Sequence, residues 1–138
     1  MVKYTAIESG FALACSGSDL LEMHWRDNGI VADFIDPEND DRLWRVVFDD
    51  VDFIRVLDEF YLSTEEDPLD KEGLVPQNFA YLVEGSRFYR SQSDMLPAIL
   101  PKARHYRFVT GWTCLDVISM QEPKFEISAK SSKRGDTA

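Results

Sequence analysis

The chain has 138 residues, 44% of them apolar and 12% aromatic, which suffices for one domain with a real core and excludes a disordered chain despite a formal net charge of −10. That charge is concentrated: residues 36 to 72 hold 14 of the 25 carboxylates against Arg42, Arg45, Arg55 and Lys71, and the flanking stretches nearly cancel. A field of one sign speeds encounter with the opposite sign, so a basic protein or a cation is the expected partner, and nucleic acid, whose phosphates would be repelled, is not.

No run approaches the roughly 20 apolar residues of a membrane span. The start, MVKYTAIESGFALACSGSD, offers only Phe11 to Cys15 as an apolar stretch, short of a signal peptide's hydrophobic region of about 7 to 15 residues. The two cysteines, Cys15 and Cys114, lie far apart without a Cys-x-x-Cys pair, so both are expected to stay reduced and buried in a cytoplasmic protein.

In chain order, Asp19 to Ile35 reads as a β-hairpin around Asn28-Gly29, the pair preferred in two-residue turns with positive φ. Leu21, Met23 and Trp25 are expected to face the core, with Glu22, His24 and Arg26 outward. The loop Asp36 to Asp41 breaks the chain, and Leu43 to Phe48 follows as a strand burying Trp44, Val46 and Phe48, turned by Asp49 and Asp50. Residues 51 to 62 fit a strand through Phe53-Ile-Arg-Val-Leu57 or a helix burying Phe53, Val56, Leu57 and Phe60, and the strand is preferred. Ser63 to Pro76 reads as a long exposed loop.

Asn78 to Glu84 resumes strand composition until Gly85-Ser86, where Ser86 can cap a short helix through Phe88, Tyr89 and Met95 that Pro97 and Pro101 should stop. His105 to Thr110, a Gly111-Trp112 turn and Thr113 to Ser119 make a second hairpin. One globular domain over residues 1–127 is expected, with 128–138 as a disordered tail of low apolar content. The fold class is α+β and mainly antiparallel: a curved sheet of about six or seven short strands with a minor helical layer. A doubly wound parallel sheet would need a series of helical crossovers, and none is evident.

The loop Asp36-Pro-Glu-Asn-Asp-Asp41 places carboxylates at the first, third and fifth positions of a calcium loop, but the sixth is Asp41 rather than glycine and the twelfth is Val47 rather than glutamate. It reads as a solvated acidic loop. Asp50-Val-Asp52 could hold magnesium for phosphoryl transfer, yet no phosphate-cradling glycine motif accompanies it, so two turn residues are the simpler reading. Asp58-Glu59 beside Arg55 could do acid and base work, or form a surface ion pair. His105 and Cys114 on one hairpin could pair as base and thiol, against a plain buried thiol. With His24 and Cys15 they could bind zinc only by long-range convergence, and Gly-x-Ser-x-Gly is absent. No catalytic residue, metal or cofactor is therefore expected. Tyr81, Phe88, Tyr89 and Tyr106 suit a core, whereas Trp112 at a turn tip suits an exposed interface anchor.

Ser86-Arg-Phe-Tyr89, the run His105 to Ser119, Glu122-Pro123 and the acidic stretch Phe48 to Glu59 together resemble small uncharacterised bacterial proteins grouped with polymorphic-toxin immunity proteins. The resemblance covers about half the chain and rests mainly on strand-forming residues. It implies stoichiometric binding of a cognate toxin, with no catalytic residues to carry over. The expected function is thus a non-catalytic acidic binding protein that masks a basic toxin, with Asp36, Glu38, Asp40, Asp41, Asp49, Asp50, Asp58, Glu59 and Trp112 at the contact. The alternative is a small enzyme or ligand-binding domain using Asp50, Asp52, Asp58, Glu59 and Arg55, with or without a divalent cation.

Overall fold

The computed structural model describes residues 1–10, 14–92 and 94–129. Short runs that mostly contain β-branched and aromatic residues form strands β1 (Val2–Ala6), β2 (Leu20–Arg26), β3 (Gly29–Ile35), β4 (Arg42–Phe48), β5 (Phe53–Asp58), β7 (Ala80–Glu84), β8 (Arg104–Phe108), β9 (Thr113–Ser119) and β10 (Lys124–Ala129), while the charged pair Lys71–Glu72 forms the two-residue strand β6. Helices α1 (Glu59–Glu65), α2 (Arg87–Arg90) and α3 (Leu96–Ile99) are short. The fold is α+β and dominated by antiparallel strands. Where one curved sheet was expected, the described residues form two, ordered β5-β9-β8-β7-β1-β6 and β10-β4-β3-β2, and among them only the β1–β6 pair is parallel.

The sheets face each other across the main core. Ile30, Ala32 and Phe34 of β3 and Trp44, Val46 and Phe48 of β4 pack against Phe79, Ala80, Tyr106, Phe108, Leu115 and Val117. Trp44, Val46 and Phe48 are all buried, so the period-two reading of this strand holds. The opposite face of the six-stranded sheet is covered by smaller clusters, one around Tyr4 and Tyr81 and one joining Phe88 and Leu96 of the helices to Ile118.

The first hairpin forms one residue earlier than expected. Arg26 pairs with Gly29, leaving Asp27-Asn28 as the turn, and the positive φ of 56° falls on Asp27. Gly29 is needed for a different reason: a Cβ there would sit 2.5 Å from the carbonyl oxygen of Phe48. A register shift between Leu20 and Glu22 moves Leu20 to the inner face and leaves Leu21 exposed. Met23 packs on the core, but Trp25, though opposite Ile30, is 67% exposed because β2 is an edge strand.

Residues 51–62 contain both structures in succession. β5 ends at Asp58, whose carboxylate accepts the Phe60 N–H at 2.8 Å and caps α1. Phe60 is therefore on a helix, and exposed rather than core. The stretch read as a long loop instead carries the end of α1, a 3-10 turn at Pro68–Asp70 and β6. Ser86 caps α2 as expected, accepting the Tyr89 N–H at 3.1 Å, while Pro97 lies in the first turn of α3 instead of stopping a helix. Ser128 and Ala129, assigned above to the tail, belong to β10; residues 130–138 lie outside the described residues, as do 11–13 of the Phe11–Cys15 stretch. Among the described residues no helix is long and apolar enough to cross a membrane.

Candidate functional site

Register across the six-stranded sheet lines up charged residues on the face that carries the helices. Arg55 pairs with Asp116, Asp116 with Arg107, and Arg107 with Tyr81. Asp116 is fully buried. Its Oδ1 accepts from Arg107 Nε and His105 Nε2, both at 2.6 Å, and its Oδ2 from Arg55 Nη2 at 2.8 Å. Glu65, the last residue of α1, accepts from Arg55 Nη1 at 2.6 Å and Nη2 at 3.0 Å. Glu66 accepts from Arg107 Nη1 at 2.6 Å and from the Tyr4 hydroxyl. Each buried charge thus has an opposite partner within hydrogen-bond reach, which offsets the several kcal/mol that desolvation of a lone ion would cost.

Burial alone would raise the Asp116 carboxyl, but the His105 hydrogen bond and the Arg107 charge hold it well below the usual carboxylate range. The Arg55 hydrogen bonds lower Glu65 likewise. Burial drives the His105 imidazole downward against the pull of Asp116, and the charges of Arg107 and Arg55 add to that direction. The arrangement clamps the C-terminal end of α1 to the sheet.

One branch has the chemistry of a nucleophile, base and orienting acid. His105 Nδ1 lies 2.7 Å from Ser86 Oγ, and its Nε2 faces Asp116. Ser86 and Asp116 are completely buried and His105 is nearly so. The Ser86 oxygen is engaged as the cap of α2, and Asp116 is shared by two arginines. The trio can anchor α2; it presents no nucleophile to solvent. The pairing of His105 with Cys114 considered from sequence does not occur, because Ile118 stands opposite His105 and Leu57 opposite Cys114. Burial pushes the Cys114 thiol up to about 11, while Cys15 is only half-buried.

The exposed candidates gather at one end of the sandwich. The Glu59 N–H donates to the Trp112 carbonyl at 2.6 Å, and the Gly111 N–H to the Ser18 carbonyl at 3.2 Å. Asp19 accepts the Thr113 N–H at 2.9 Å through its side chain and the Ile35 N–H through its carbonyl. These bonds draw together the α1 start, the Gly111-Trp112 turn and the β3–β4 loop. Three aromatic side chains stand in solvent there: Trp112 is 56% exposed, Phe60 63% and Tyr61 64%. Phe60 and Tyr61 meet edge to face at 5.6 Å. Exposed Glu38, Asp40, Asp41 and Asp58, with half-buried Glu59, supply negative charge at the same end.

Three of the anticipated contact residues do not belong to this surface. Asp36 is 1% exposed and spends its carboxylate on the Glu38 N–H at 2.9 Å and Arg42 Nε at 2.6 Å. Asp49 and Asp50 lie at the other end, Asp49 in an ion pair with Lys124 and the Asp50 carbonyl bonded by the Ser119 hydroxyl. Asp52, raised by burial and then by Asp50, is there as well, far from Asp58 and Glu59 at the other end of β5, and Arg55 is committed to Asp116 and Glu65. Among the described residues no group of three or more His, Cys, Asp or Glu side chains is placed to hold a metal ion. Phe60 and Tyr61 were missed because the helix-like spacing of this segment suggested burial for Phe60; the Asp58 cap, three residues before Tyr61, was the available signal. Comparison with protein-family models, curated proteins and solved structures gives no match.

Proposed function

We propose that this protein is a non-catalytic acidic binding protein of the immunity type, which neutralises a cognate basic toxin by covering its surface with the Trp112 end of the sandwich. The observation that carries this reading is the set of exposed aromatics, Trp112, Phe60 and Tyr61, bordered by Asp58, Glu59 and the carboxylates of the β3–β4 loop. Tryptophan and tyrosine are the favoured anchors of protein interfaces, and a carboxylate rim steers a basic partner. The buried charges that clamp α1 favour the same role, since an aromatic pair on a braced helix loses little freedom on binding. Reduced, unpaired cysteines fit a cytoplasmic partner.

The test uses the product of the reading frame adjacent to this gene. Co-expression with this protein should relieve its toxicity, and the purified pair should form a complex of one to one. The variant Phe60→Ala/Tyr61→Ala/Trp112→Ala should fold normally and fail to protect. A toxic neighbour unaffected by equimolar protein, or full protection by the triple variant, would overturn the assignment.

A further inference from the structure

The end of the sandwich away from Trp112 carries a concave surface of opposite charge. Because six strands face four, the inner face of the larger sheet is incompletely covered along β7 and β8. A concavity of about 610 Å³ opens there, lined among others by Lys102, Arg104, Tyr106 and Lys124. It continues past Arg104 and Tyr106 into an apolar recess of about 260 Å³ bounded by Ile7, Leu82 and Phe125. Volumes of this order suit a small ligand.

Two features single out the junction. Tyr106 is 5% exposed and its ring is seated against Phe48, with centroids 5.5 Å apart. Its hydroxyl makes no hydrogen bond to the described residues and is not among the buried unpartnered atoms, so it opens to solvent on the cavity wall, where it can donate to a ligand. Arg104 is exposed, lines both concavities and, like Lys102, forms no ion pair among the described residues, in a chain of net charge −10. Lys124 is partly neutralised by Asp49, and Glu122 and Glu8 edge the cleft, so it would repel a polyanion while accepting a single anionic head.

We propose that this cleft binds a small organic anion, a carboxylate or a phosphate monoester with an apolar body. The Arg104 guanidinium and the Tyr106 hydroxyl hold the head, and the body enters the Ile7–Leu82–Phe125 recess. A guanidinium and a phenol converging on one site are the donors a carboxylate or phosphate takes. This site is separate from the Trp112 surface and does not depend on the toxin-binding reading.

Isothermal titration calorimetry of the intact protein with decanoate, with phenyl phosphate and with inorganic phosphate tests it. One of the two organic anions should bind saturably at a single site, and which of them binds names the head group. Arg104→Ala should weaken that binding about tenfold, the loss of one charge-assisted contact, and Tyr106→Phe several-fold, with Arg26→Ala outside the cleft as an unchanged control. The proposal is overturned if neither organic anion saturates, if Arg104→Ala and Tyr106→Phe keep wild-type affinity, or if inorganic phosphate binds as tightly as phenyl phosphate.

Discussion

The Glu59 N–H donates to the Trp112 carbonyl at 2.6 Å, joining the first turn of α1 to the tip of the β8–β9 hairpin. That bond places Phe60 and Tyr61 beside an exposed tryptophan far away in sequence, at position 112. None of the three rings supports the core, so truncation should leave folding free energy within about 0.5 kcal/mol of wild type. Trp112→Ala should cost about 2 kcal/mol or more of partner binding, the size of an interface hot spot. Calorimetric melting and titration of the partner give both quantities, and a drop in melting temperature matching the binding loss would mean that Trp112 is structural.

The carboxylates of the β3–β4 loop divide into two kinds. Glu38, Asp40 and Asp41 are exposed, so Glu38→Gln/Asp40→Asn/Asp41→Asn should leave the melting temperature unchanged and slow association with a basic partner. The slowing should vanish at about 1 M salt, where charges are screened within about 3 Å. Asp36→Asn should do the reverse, costing about 1 to 3 kcal/mol of stability because a buried carboxylate loses its charge-assisted, part-buried hydrogen bond from Arg42. Stopped-flow association and urea denaturation separate the two effects, and equal stability losses in both variants would erase the distinction.

Asp116→Asn should be among the most destabilising polar substitutions in the chain. It leaves Arg107, fully buried and within 2.6 Å of the Asp116 carboxylate, short of a counter-charge. Removing one partner of a buried pair costs about 3 to 5 kcal/mol. Because the same arginines hold Glu65 and Glu66, α1 should loosen too, and hydrogen exchange at its amides should speed up. A loss below about 1 kcal/mol, with α1 still protected, would show that apolar packing rather than the charge network seats the helix.

Much of the fold was legible because it is local. Trp44-Arg-Val-Val-Phe48 alternates with period two, and Gly85-Ser86 ends a strand and caps a helix within the few residues that decide both. Division into two sheets was not legible, since it depends on which strands pair across the chain. Adjacent β4 and β5, for instance, lie in different sheets. Charge count also misled: Asp36 and Asp41 look equivalent in sequence, but one is buried against Arg42 and the other stands in solvent. The Arg55–Asp116–Arg107 row was invisible for the same reason, because three residues spread over β5, β8 and β9 meet only through register. Trp112 was readable at a turn tip, whereas its neighbours Phe60 and Tyr61 required knowing that β5 gives way to α1 at Asp58.

Stability should fall as pH drops below about 6.5, earlier than carboxylates alone would dictate. His105 is held neutral in the fold, first by burial and then by the charges of Arg107 and Arg55, so its folded value lies below the ordinary histidine value. Between those two values the unfolded chain carries the extra proton, and protonation therefore favours unfolding as pH decreases. Asp116 and Glu65, whose folded values are also lowered, add a second loss below about pH 4, where the unfolded carboxylates protonate before the native ones do. Urea denaturation from about pH 8 to about pH 5 should give a plateau and then a decline, with the His105 ring resonances unmoved across the upper part of the decline. A His105 ring that titrates at or above about 6.5 in the folded protein would mean that Asp116 outweighs burial and the two arginines, and the decline would then have another source.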